Sequence, residues 1–122
     1  MSSKFQKGKW GEALALQWLL ENNYLIIRKN WFFGHSEIDL IAWHFNTLVF
    51  VEVRMLNRRN KFLPEDSVGG SKRKKIAAAA AAFAEKTNYQ GDMRFDIVGI
   101  TFHRGKDPEI RHIPDAFFPG LY

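Results

Sequence analysis

At 122 residues the chain is long enough for one domain with a real core and too short for two. A hydrophobic content of 46% with 15% aromatics excludes a disordered polymer, and the absence of cysteine removes disulfides, thiolate metal sites and cysteine nucleophiles. No apolar run nears the roughly 20 residues of a membrane span and the N-terminus lacks a signal peptide's apolar centre, so a cytoplasmic protein with no membrane partner is expected, and its net charge of +5 points to a polyanion instead.

In chain order, Ser2-Ser3 is expected to cap a first helix running to about Asn22. Ala13, Leu16 and Leu20 form its predicted core stripe, with Trp10 and Leu19 at the margins. Glu12 then projects along the edge of that face, either as an ordinary solvated glutamate or towards a site. Tyr24 to Arg28 reads as a first strand, and Asn30 to Gly34 as a turn.

Two highly apolar strands follow, each with a carboxylate inside it: Asp39 in Glu37-Ile-Asp-Leu-Ile-Ala-Trp43, and Glu52 in Leu48-Val-Phe-Val-Glu-Val-Arg-Met55. His44 to Thr47 reads as their hairpin connection. A loop centred between Phe45 and Asn46 sets Asp39 opposite Glu52 and Glu37 opposite Arg54; a three-residue loop would send the two carboxylates to opposite faces. Facing side chains have β-carbons roughly 4.5–5.5 Å apart, and like charges there repel. Such a buried pair is tolerated when a proton or a cation lies between its members, and a divalent metal is the sharper of those readings.

Asn57 to Gly70 carries Pro64 and Gly69-Gly70 and is expected to be a loop. Ser71 is the predicted cap of a second helix through about Lys86, in which Ala77 to Ala82 present little bulk, so that the helix can lie close to the sheet on Ile76 and Phe83. Arg94 to Phe102 is a fourth strand, with Asp96 and Arg94 on one face as an expected internal ion pair, and Glu109 to Ile113 a short fifth. The predicted architecture is a single α/β (α+β) domain over 1–122, in the order αβββαββ, with a mixed sheet between or beside two helices.

The charge is local. From Arg54 to Lys75, eight cations (Arg54, Arg58, Arg59, Lys61, Lys72, Arg73, Lys74 and Lys75) stand against only Glu65 and Asp66. Four of them crowd the first turn of the second helix, where the dipole disfavours positive charge. Cations and unpaired backbone N–H groups at one place make a phosphate site, with Lys72 on the sheet-facing side; the alternative is a solvated basic face paired with Glu65 and Asp66. His35, His44, His103 and His112 show no metal-ligand spacing and read as surface or packing residues. Phe32, Trp31 and Trp43 are either base-stacking or core aromatics. Phosphate-loop, dinucleotide and nucleophile-elbow patterns are missing, which leaves nucleotide hydrolysis and acyl transfer without support.

Gly8-x-x-Gly11-Glu12-x-x-Ala15, Glu37-Ile-Asp39-Leu-Ile-Ala42, Leu48-Val-Phe-Val-Glu-Val53, Lys72, Arg94-Phe-Asp96 and His112-Ile-x-x-Ala116-Phe117 together resemble the uncharacterised bacterial YraN family over nearly the whole chain. Its members are expected to share the restriction-endonuclease-like fold of Holliday-junction resolvases. The resemblance implies a catalytic set of Glu12, Asp39, Glu52, Arg54 and Lys72. Asp39 and Glu52 would ligate Mg²⁺ or Mn²⁺, Glu12 would add a helix-borne carboxylate, and Lys72 would contact phosphate. Where the family usually reads Glu-Val-Lys-Thr-Arg, this chain has Glu52-Val-Arg54-Met-Leu56. Arginine stays charged at any working pH, so Arg54 cannot activate water by losing a proton; it can bind phosphate or pair with Glu37.

The expected function is therefore that of a metal-dependent endonuclease acting on DNA, with branched DNA among the candidate substrates. The rivals are a non-cleaving nucleic-acid-binding protein of the same fold and a structural or protein-interaction module that docks through the Ala-rich helix. Junction cutting needs two active sites, which hints at a homodimer.

Overall fold

The computed structural model describes residues 4–56 and 69–117. The expected cap at Ser2-Ser3, the cations Arg58, Arg59 and Lys61, and the acidic Glu65-Asp66 lie outside the described residues. Among the described residues the order is α1 (Lys4–Glu21), β1 (Tyr24–Phe33), β2 (Ser36–His44), β3 (Thr47–Leu56), α2 (Gly70–Lys86), β4 (Met93–Thr101) and β5 (Glu109–Ile113). This is the expected αβββαββ order.

The strands lie side by side in chain order. β1, β2 and β3 form an antiparallel meander, β4 runs parallel to β3, and β5 returns antiparallel to β4. A parallel pair needs a long crossover, which α2 supplies. β3 is the most deeply buried strand, because Leu48 to Val53 are covered on both faces. Leu48 and Phe50 pack on one face with Ile76, Ala79, Ala80 and Phe83 of α2. Val49, Val51 and Val53 pack on the other with Ala15 and Leu19 of α1. The sheet is thus sandwiched between the helices, and the fully buried Ala79 and Ala80 give α2 its close seat.

Three local expectations need correction. The buried row of α1 is Gly11, Ala15 and Leu19, while Ala13 and Leu20 are exposed, Leu20 by 50%. Hydrophobic bulk misidentified the face: the helix approaches the sheet along its small residues, and a β-carbon on Gly11 would run into the Met55 side chain of β3. β1 does not end at Arg28 but continues through Phe33; Asn30 takes a positive φ of 49° inside the strand, and the turn falls at Gly34, where φ is 60°. Ser71 lies inside α2, whose N-cap is Gly69 with no side-chain cap hydrogen bond. The β-forming aromatics from Trp31 onward and the available partner strand extended β1 past a turn-favouring asparagine.

The hairpin between β2 and β3 closes on two residues, Phe45 and Asn46, with His44 paired to Thr47 and Leu40 to Val51. The register is that of the centred loop. The ladder nevertheless stops at Leu40, so Asp39–Glu52 and Glu37–Arg54 are not ladder pairs. Ile38 packs on the α2 side whereas Leu40 and Ala42 pack on the α1 side, so the strict alternation of β2 breaks at Asp39.

Candidate functional site

Asp39 occupies that break. Its Oδ2 accepts a hydrogen bond from the backbone N–H of Val53 at 2.7 Å, a side chain standing where the backbone ladder has parted. Glu52, only 5% exposed, projects from β3 towards α2, where Lys72 Nζ meets its Oε1 at 2.9 Å. Arg54, two residues on and therefore on the same face, approaches the same oxygen at 3.9 Å. Glu37 is met from β1 by Asn30, whose Nδ2 donates to Oε2 at 3.1 Å.

The electrostatics single out Asp39. Burial first, then the neighbouring Glu52, Glu37 and Glu12 charges, push its carboxyl up to about 8, against the opposing hydrogen bond from Val53. Burial also raises Glu52, while Lys72 and Arg54 pull it back. Asp39 thus lies in surplus negative potential, and Glu52 has part of its charge answered.

Asp39 is reached from two sides. A cavity of about 250 Å³ brings it to Glu12 of α1, together with Lys9, Lys29 and Asn30. A second, of about 510 Å³, brings it to Glu37, Ser71, Lys72 and Lys75. Of the expected catalytic set, Glu12 and Lys72 line these cavities with Asp39, Glu52 is near enough for its charge to raise Asp39, and Arg54 approaches Glu52; the five come from four separate elements. With α2 starting at Gly70, only Lys72 and Arg73 fall in its first turn; Arg73 lies over the Phe117 ring, 5.3 Å from its centroid, and Lys74, one residue on, is exposed. Among the described residues no group of three or more carboxylate or imidazole side chains forms a ready-made metal cage. The hard oxygens of Asp39 and Glu52 are of the type that suits a divalent ion keeping several waters, as Mg²⁺ does.

A second polar cluster was only half expected. The Asp96–Arg94 pair is present, with Nε–Oδ1 at 2.9 Å and Nη2–Oδ2 at 3.0 Å. Around the fully buried Asp96 the fold adds Tyr24 Oη at 2.8 Å, His112 Nε2 at 2.9 Å and the Asp115 backbone N–H at 3.0 Å. The Trp18 indole N–H donates to His112 Nδ1 at 3.2 Å, which leaves the ring proton on Nε2, facing Asp96. Arg94 Nη2 reaches Tyr24 Oη at 2.6 Å and His44 Nδ1 at 3.2 Å, and the Tyr24 and His44 rings stack at 4.1 Å. Burial alone would raise the Asp96 carboxyl; the hydrogen bonds of His112, Arg94, Asp115 and Tyr24 hold it well below the usual carboxylate range. His44 and His112 are packing residues, as their spacing implied, but polar ones. The one sequence signal, for His112 alone, is the His112-Ile-x-x-Ala116 closing motif.

The fold and the first cluster define a class: an α+β domain with a mixed five-stranded sheet between two helices, bearing an acidic pair that a helix-borne lysine meets. The chain belongs to the Uncharacterised protein family UPF0102, for which YraN is a synonym, and the family model matches residues 11–100. It is 37% identical over 122 residues to a UPF0102 protein of Chlorobium chlorochromatii, covering 96% of this chain and 95% of that one. A Bacteroides thetaiotaomicron relative is 36% identical over the full length of both chains. One from Cytophaga hutchinsonii is 43% identical over 79% of this chain and 85% of its own. No described helix is long and apolar enough to cross a membrane.

Proposed function

We propose that this protein is a divalent-metal-dependent endonuclease that hydrolyses phosphodiester bonds in DNA, branched DNA included. The observation that carries the reading is the convergence of Asp39, Glu52 and the Lys72 amine at the parting of β2 and β3. The expected likeness to a restriction-endonuclease-like core and the matching element order add to it. Asp39 and Glu52 would hold Mg²⁺ or Mn²⁺, which when bound lowers the pKa of a coordinated water and offsets charge on the scissile phosphate.

The chain's own residues do the rest. Lys72 and Lys75 line the wider cavity and, with the first-turn N–H groups of α2, cradle the phosphate. Lys72 leaves Glu52 partly neutralised in the free protein and can turn to the phosphate as substrate enters. Glu12, across the narrower cavity, keeps the potential at Asp39 negative and favours a cation there. Arg54 stays charged beside Glu52 and offers its guanidinium as a further phosphate contact. Cutting both strands of a branched substrate needs two such sites, which a homodimer would supply.

The decisive experiment incubates the protein with linear, single-stranded and four-way-junction DNA in Mg²⁺, Mn²⁺ or EDTA, with Asp39→Ala alongside. Cleavage in metal only, and only by the wild type, is the expected result. A non-cleaving DNA-binding protein is the second reading, and the occupation of Glu52 by Lys72 and Arg54 favours it. Salt-dependent binding without cleavage in either metal would select it.

Substitutions among the cations separate their roles. Arg54→Lys is expected to increase cleavage, since lysine is usual at this motif position; a fall would make the planar guanidinium the transition-state cation. Lys74→Gln with Lys75→Gln should weaken DNA binding and make the plot of log K against log salt shallower, by roughly 0.9 for each phosphate that is no longer neutralised. An unchanged slope would move DNA away from α2.

A further inference from the structure

The β1–β2 hairpin parts from the rest of the sheet. β2 pairs with β3 only from Leu40 to His44, but with β1 on to Ser36, while β3 continues along β4 to Leu56, so Trp31–Phe33 and Ser36–Ile38 form a two-stranded arm that has left the central strands. The arm is anchored: the Trp31 ring meets Phe83 of α2 edge-on at 5.2 Å, Ile38 is in the core, and Asn30 ties across to Glu37. Beyond that anchor two large rings are left in water, Phe32 at 61% and Phe33 at 49% exposure.

Adjacent exposed phenylalanines on a ten-residue edge strand oppose ordinary practice, in which such edges carry charge or are covered. Their position is specific. Phe32 pairs with Glu37 and Phe33 with Ser36, and Glu37 and Ser36 line the same cavity as Lys72 and Lys75. Exposed Arg28 and Lys29 lie on the same strand. Consecutive strand residues project to opposite faces, so the two rings flank the arm one on each side; aromatic faces among cations beside a phosphate site can take a charged backbone and its bases together. Stacked bases inside a continuous duplex offer no free face to a phenyl ring, whereas unpaired bases do.

We propose that Phe32 and Phe33 form a base-stacking arm that selects nucleic acid with unpaired or unstacked bases next to the phosphate held by Lys72 and Lys75. This rests on the nucleic-acid reading above and adds the substrate feature it recognises. The arm gives an order of preference: single strands and junctions with open bases over continuous duplex. Carriage on a strand pair anchored by Trp31 lets the rings meet bases without a large ordering cost.

Binding of labelled single-stranded, continuous-duplex and four-way-junction oligonucleotides is measured by anisotropy in EDTA, where metal-dependent cutting is silent. Phe32→Ala combined with Phe33→Ala should weaken single-strand and junction binding about tenfold or more relative to duplex. Phe32→Trp should keep or strengthen the preference, which guards against a general effect of substitution. Loss of the same size on all three DNAs, or no loss, overturns the arm. So does a fall in oligomeric mass of the double variant with its DNA preference intact, which would make the arm a contact between copies. If the wild type binds none of the DNAs in a salt-dependent way, the nucleic-acid reading itself fails; if it binds and the double variant matches it, only the arm does.

Discussion

Asp96→Asn is expected to destabilise the fold by about 3–5 kcal/mol, the usual cost of breaking a buried ion pair by removing one partner. The carboxylate answers Arg94, Tyr24, His112 and the Asp115 N–H at once. An amide has one oxygen and turns an N–H₂ towards donors, so Arg94 is left as an underpaired charge and at least one buried donor is left without an acceptor. The loss reaches five elements, because the cluster ties β1, β4, β5, through His44 β2 and, through Trp18, α1. Chemical denaturation at pH 7 measures it directly. The pH dependence carries a second signature. The folded-state pKa of Asp96 is depressed, so its contribution is complete above the unfolded value of about 3.9 and is lost as pH falls towards the folded value. Acidification from pH 5 downward should therefore narrow the gap between wild type and Asp96→Asn. A gap that stays constant to pH 2, or a loss below 1 kcal/mol, would show that Asp96 is not the electrostatic centre of the cluster.

Asp39→Asn is expected to have opposite effects on activity and stability. On the proposed reading cleavage should fall to the level seen in EDTA, because Asp39 would be a principal oxygen ligand of the ion. The metal-free protein, by contrast, should gain stability above neutral pH. The folded pKa of Asp39 is raised, to about 8, so between the unfolded value near 3.9 and 8 the folded state holds the extra proton. Wild-type stability falls as pH rises across that window, and above it the full penalty of a buried unanswered charge remains. Asparagine has no such slope and still offers an oxygen to the Val53 N–H. A divalent ion held as proposed would do for the wild type what the proton does, so Mn²⁺ should raise the melting temperature of the wild type more at pH 8 than at pH 6, and leave Asp39→Asn unmoved. Equal Mn²⁺ responses in the two proteins would remove Asp39 from any metal site.

The architecture was legible wherever a short-range period decided it. Apolar runs on both sides of a polar connection determine that β2 and β3 are buried strands, and their pairing about Phe45-Asn46 follows from counting outward from the loop. Arg94 and Asp96 are two residues apart on a strand, so their contact is local geometry. The Ala-rich seat of α2 likewise needs only the helical period, whereas its start at Gly70 puts Lys74 and Lys75 beyond the first turn in which all four cations were expected.

What depended on partners distant in the chain was not legible. The face of α1 was decided by how closely a helix can approach a sheet, which rewards Gly11 and Ala15 over larger apolar residues. The length of β1 was decided by the partner strand that accepts it past Asn30. The break at Asp39 decides how the two carboxylates meet, with Asp39 bonded to the Val53 N–H beside Glu52, and it arises because β2 leaves β3 to follow β1, a competition between pairings that no single segment encodes. The Asp96 cluster joins Tyr24 across 72 residues of chain and brings in His112 from the last strand. Residue types along the chain set which groups can ionise, stack or donate; only tertiary packing sets which of them lose water and meet, and burial without water is what turns Asp39 into a candidate ligand and Asp96 into a fastener.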